Sequence, residues 1–134
     1  MEFIMGAIAP EQKRHCTILI VEDHEGMRQS MRKWLGSTFE DTEFFDASTG
    51  EAAVELCKHM KPDLVVMDIK LPGINGIEAT KQIKKILPET KVIMLTIYDV
   101  PAFQAGALEV GASAFISKNT MYTELIPAIE KLMA

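Results

Sequence analysis

Three runs in this chain are apolar at every position: Ile18-Leu19-Ile20-Val21, Leu64-Val65-Val66-Met67 and Val92-Ile93-Met94-Leu95. A strand with one wet face alternates apolar and polar residues. Continuous runs this short, bounded by turn residues, fit strands covered on both faces better than half-exposed ones. Helical periodicity fills the gaps between them. Met27, Met31, Trp34 and Leu35 recur at i, i+4, i+7 and i+8 after the first strand, Thr17–Val21. Glu43–Ala47 is a shorter, more polar strand of the kind found at a sheet edge. Ser48 or Thr49 can cap the next helix, whose stripe is Ala53, Leu56, Cys57 and Met60. A helix over Ile77–Leu87 is ended by Pro88, and the fourth strand is Lys91–Leu95. A weaker helix over Pro101–Val110 is stopped by Gly111; Ala114–Ser117 is the fifth strand, and Thr123–Met133 the last helix. Five strand–helix units with short connections predict an α/β fold, a parallel sheet with helices on both faces.

Composition narrows the function. At 134 residues, 48% hydrophobic and 25% charged, the chain has the makeup of one globular domain. A net charge of -5 argues against direct nucleic-acid binding, which needs a clustered basic face. Cys16 and Cys57 lack metal-type spacing and read as small buried hydrophobes in a reducing compartment. The apolar stretch Phe3–Ala9 is far short of the ~20 residues that cross a membrane, and only Glu2 stands where a secretory signal wants basic residues. A cytoplasmic location with no membrane contact follows as the expectation. Residues 1–14 are expected to form a disordered N-terminal extension, or to dock on the domain or a second copy, with the domain over 15–134.

The polar residues that interrupt this pattern stand at strand ends. Asp68 follows the run Leu64–Met67, where burial is expected to stop, and Leu71-Pro72-Gly73 and Asn75-Gly76 then turn the chain. Glu22 and Asp23 follow the first strand, Thr96 the fourth and Lys118 the fifth. The carboxyl ends of strands are where open parallel sheets place their ligands.

With Gly111-Ala112-Ser113-Ala114-Phe115 and Leu71–Gly76 added, these pieces resemble a receiver domain of a two-component response regulator. The resemblance covers about residues 15–134. It implies a flavodoxin-like five-stranded parallel sheet of order 2-1-3-4-5, an order taken from the family. That order can be tested on side-chain length. Strands lie ~4.8 Å apart, so groups beside Asp68 need only short side chains, while a group two strands away, roughly 10 Å, must be long. Glu22, Asp23 and Thr96 meet the first requirement and Lys118 the second.

The resemblance further implies that Asp68 is the phosphoacceptor for a sensor histidine kinase or a phosphotransfer protein. Mg²⁺, with Mn²⁺ as an alternative, would be held by Asp23, Asp68 and the main-chain carbonyl of Lys70, and by Glu22 through a water. Thr96 and Lys118 would bind the phosphoryl group. Thr96 would be coupled to Phe115, changing the face made by the fourth helix, fifth strand and fifth helix, with homodimerisation on phosphorylation a further expectation. Lys70 and Tyr98 would flank the site and limit water's access. Such a domain phosphorylates and dephosphorylates itself and is not a turnover enzyme. Many receivers carry proline after the lysine; Asn119 stands here, so a trans bond and a looser hold on Lys118 are expected.

Competing readings fit less well. A phosphatase of the haloacid-dehalogenase type needs an acid two residues after its nucleophile, where Lys70 stands. A flavodoxin needs a hydroxyl- and glycine-rich phosphate loop, where Glu22–Glu25 is acidic. The remaining alternative is a receiver-fold interaction module working without phosphorylation, which the presence of Asp68 and Lys118 disfavours. The segments around Asp68 and Thr96 look most like receivers joined to helix-turn-helix DNA-binding domains, which points to transcription regulation as the output.

Overall fold

The structure, a computed structural model, describes residues 16–97 and 100–134. The expected extension over 1–14 and the flanking role of Tyr98 fall outside the described residues. The elements are β1 (Cys16–Val21), α1 (Glu25–Thr38), β2 (Thr42–Ala47), α2 (Gly50–Met60), β3 (Leu64–Asp68), α3 (Gly76–Ile86), β4 (Lys91–Thr96), α4 (Pro101–Glu109), β5 (Ala114–Ser117) and α5 (Met121–Met133). They form one parallel sheet of order β2-β1-β3-β4-β5.

Strand parity explains the uninterrupted apolar runs. Leu19, Val21, Val65, Met67, Val92 and Met94 face a layer built from α2, α3 and α4, through Ala53, Cys57, Ala79, Ile83 and Ala107. Their sequence neighbours Ile18, Ile20, Leu64, Val66, Ile93 and Leu95 face α1 and α5, through Met31, Leu35, Met121, Leu125 and Ile129. Both faces of the central strands are covered, so both parities must be apolar. Each fully buried side chain of this size contributes about 1.5–3 kcal/mol.

The caps show how the helices are aimed. Thr49, rather than Ser48, caps α2: its Oγ1 accepts from the Ala52 N–H at 3.0 Å. Asn75 Oδ1 accepts from Glu78 N at 2.9 Å and starts α3 at Gly76, one residue before the apolar pattern suggests. His24 is itself the cap of α1, its Nδ1 accepting from Met27 N at 3.1 Å. α5 begins at Met121, two residues earlier than expected, and runs through Pro127. Cys57 is buried, which pushes its thiol up to about 11. Cys16 is only half-buried, contrary to expectation. It opens β1 and pairs with Thr42 alone, because β3 joins the ladder two residues later, at Ile18.

Candidate functional site

The carboxyl edge of the sheet gathers what the sequence scatters. Val21 stands opposite Met67, so the residues that follow them, Glu22 and Asp68, leave adjacent strands side by side. Burial does not stop at Asp68: it is 5% exposed, and Ile69 beyond it 1%. The reason is local. Asp68 still pairs with Leu95, the Ile69 N–H donates to the Leu95 carbonyl at 3.0 Å, and Gly76 N donates to the Ile69 carbonyl at 2.8 Å. That last contact brings α3 so close that a Cβ at Gly76 would overlap the Asp68 carbonyl, which is why only glycine fits there.

Glu22 is buried as well, while Asp23 is exposed. Oxygens of Glu22, Asp23 and Asp68 all lie within 4.8 Å of one another. Lys118 answers them from two strands away. Its main-chain N–H donates to the Thr96 carbonyl at 2.8 Å, and its Nζ lies 2.6 Å from Glu22 Oε1 and 3.2 Å from Asp68 Oδ2. The expected looser hold on Lys118 is therefore not found. The described residues contain no cis peptide bond, and the Asn119 N–H donates to Ser117 Oγ at 3.1 Å, pinning the turn in the absence of proline.

The electrostatics follow from burial among like charges. Desolvation pushes the Asp68 carboxyl up to about 6; the Lys118 ammonium pulls it down, Glu22 raises it, and hydrogen bonds from Lys118 and the Lys70 backbone lower it. For Lys118, burial opposes the charge, yet the hydrogen bond to Glu22 and the field of Asp68 outweigh it, so its pKa lies above the ordinary lysine value. One ammonium thus faces three carboxylates. A compact cluster of oxygen donors with excess negative charge suits a hard divalent cation.

The remaining expected residues take their places around this centre. Thr96 is fully buried at the end of β4, paired with Ser117. Phe115 pairs with Met94 and packs, half-buried, on the layer beneath α2–α4. Lys70 is exposed and lines, with Asp23, Asn75 and Phe103, a cavity of about 500 Å³ beside the acidic cluster. Sequence reasoning missed two contacts: the Lys70 N–H on the Asp68 carboxylate, and the close Lys118–Glu22 pair. The first is main-chain geometry and leaves no mark in residue type. The second had a signal, two long opposite charges at matching strand ends.

Comparisons with known proteins show the family and the fold. A family model described as response regulator receiver domain matches residues 18–130. The response regulator GacA of Pseudomonas aeruginosa is 31% identical over 117 residues, covering 87% of this chain and 55% of that protein. The response regulator UvrY of Escherichia coli is 35% identical over 115 residues, covering 86% and 53%. The chain spans about half the length of the curated relatives it matches. Among solved structures, a LuxR-family two-component response regulator from Aurantimonas sp. superposes with a TM-score of 0.83 at 31% identity, covering 90% of this chain and 86% of that one. A CheY-like receiver domain protein from Methanospirillum hungatei gives 0.82 at 31% identity, with 90% and 95% covered.

Proposed function

The chain belongs to the response regulator receiver domain family, a family of signalling switches, and from that premise we propose that Asp68 is the residue that accepts the phosphoryl group. The observation that carries the assignment is the buried Asp68 carboxylate, set between two acids and the Nζ of Lys118 at the carboxyl edge of the central strand. Asp23 and Asp68, with the Lys70 main-chain carbonyl, are the proposed direct ligands of Mg²⁺ or Mn²⁺, and Glu22 acts through a water. A divalent cation held there would supply the charge neutralisation that an anionic donor needs beside three carboxylates.

The chain's own groups do the rest. An Asp68 oxygen attacks phosphorus in line; the Asp68 O–P bond forms as the bond from phosphorus to the donor's imidazole nitrogen breaks, and the donor leaves with that electron pair. With a pKa of about 6, Asp68 is mostly ionised at neutral pH and so is competent to attack. Lys118 shares its charge between Glu22 and Asp68, so it is poised to meet the negative charge arriving on Asp68. The Thr96 hydroxyl hydrogen-bonds a phosphoryl oxygen, and Phe115 transmits its displacement to the α4–β5–α5 face. Lys70 flanks the phosphoryl group. The donor is a sensor histidine kinase or phosphotransfer protein in the cytoplasm. The domain turns over no substrate beyond its own phosphoryl group; transcription regulation is the proposed output, and homodimerisation on phosphorylation a separate proposal.

Incubation with acetyl phosphate and MgCl₂ is the direct test. One phosphoryl group should appear by mass spectrometry, be released by hydroxylamine as an acyl phosphate is, and be absent from Asp68→Asn. Equal labelling of that variant would move the acceptor elsewhere.

A further inference from the structure

We propose that Glu51, in the first turn of α2, is a positioning residue for the divalent-cation site, acting through the β3–α3 loop. The inference rests on the reading above, in which the Lys70 carbonyl of that loop is a ligand.

The loop over residues 69–75 is fixed at two points. Its inner end is held by the main-chain bonds from Ile69 to Leu95 and from Gly76 to Ile69, and by the Lys70 N–H on the Asp68 carboxylate. Its outer turn, where Gly73 adopts a φ of +75°, is held from another element. The Ile74 N–H donates to Glu51 Oε2 at 3.1 Å, across 23 residues of sequence. The two surfaces are in close contact. A Cβ at Gly73 would overlap the Glu51 carboxylate, and a Cβ at Gly50 would come within 2.8 Å of Ile74 Cγ1. Lys70, Leu71 and Pro72 bridge the two anchors. The Lys70 N–H stays on the Asp68 carboxylate, but release of the outer anchor lets the next peptide, which carries the Lys70 carbonyl, turn.

A small hard cation demands near-ideal ligand placement, and groups that orient its ligands typically govern 10–100-fold in affinity. Glu51 is exposed and acts through main chain, so its share is smaller, about three- to ten-fold. The competing role for Glu51 is a favourable charge at the start of α2. That role needs the charge; the clamp needs an acceptor oxygen at Oε2.

Isothermal titration of the 134-residue chain with MgCl₂ separates the two. Glu51→Ala should weaken Mg²⁺ binding about three- to ten-fold. Glu51→Gln, which keeps an oxygen for the Ile74 N–H, should stay within about two-fold of wild type. Circular dichroism should confirm that each variant is folded. Unchanged affinity in Glu51→Ala, with wild type binding normally, overturns this inference and leaves the site reading standing. A loss in Glu51→Gln equal to that in Glu51→Ala assigns the effect to charge and also overturns it. Failure of wild type to bind Mg²⁺ sinks the site reading and the clamp together.

Discussion

Replacing Asp68 by asparagine should stabilise the protein, by an amount that depends on pH in a defined way. Asp68 is 5% exposed, and burial displaces its carboxyl from an ordinary 3.8 to about 6. A group whose pKa is higher folded than unfolded takes up a proton on folding between those two values. Below pH ~4 the carboxyl is neutral in both states and costs nothing relative to an amide. As pH rises through 4–6 the unfolded chain ionises first, and stability falls. Above pH ~6 the full cost of holding a buried carboxylate is present. About two pH units at ~1.4 kcal/mol each sets an upper value near 3 kcal/mol, with the attraction of Lys118 already included. Solvent relaxation at the rim lowers this, so about 1.5–3 kcal/mol is the expected gain in Asp68→Asn at pH 7 without divalent ions. Urea unfolding of both proteins at pH 4 and pH 7 measures it. A gain equal at the two pH values, or a net loss at pH 7, would refute the claim that desolvation governs this carboxylate. Millimolar Mg²⁺ should shrink the difference, since it stabilises the wild type selectively.

Two further outcomes follow from the same cluster and its surroundings. Mg²⁺ at ten times its Kd should raise the stability of the wild type by about 1.4 kcal/mol, and a melting series in Asp23→Ala should show that increment largely lost. Thr96→Ala should still accept phosphate from acetyl phosphate, but beryllofluoride should no longer alter amide exchange across residues 100–118. An equal response in wild type and variant would disprove the coupling to Phe115.

What the sequence makes legible is burial parity and strand-end chemistry. Val65 and Val66 are both apolar because they serve opposite layers, and that alone forces helices onto both faces. Lys118 came from the family resemblance, and its length agrees with the two strands it spans to reach Asp68. The burial of Asp68 itself was not legible. It depends on α3 starting against the Asp68 carbonyl, and Gly76 reads as a turn residue until the Asn75 cap is seen. His24 likewise is not a residue type that marks a cap; its role depends on the main-chain turn that presents the Met27 N–H. The order of the strands came from the family and not from residue patterns.

The split of the interior into two layers bears on how a signal can move through it. Phe115 belongs to the layer under α2, α3 and α4, and its neighbour Ile116 to the layer under α1 and α5. Between the layers stands the sheet, its central strand β3 paired to β1 and β4 along both sides. A displacement of Phe115 therefore acts first among Met94, Ala107 and their companions on the α4 side, while Met31 and Leu35 of α1 keep their packing. The molecule can loosen on one side as it stays clenched on the other. A surface that reports on phosphorylation and one that is indifferent to it can then coexist on a domain of this size.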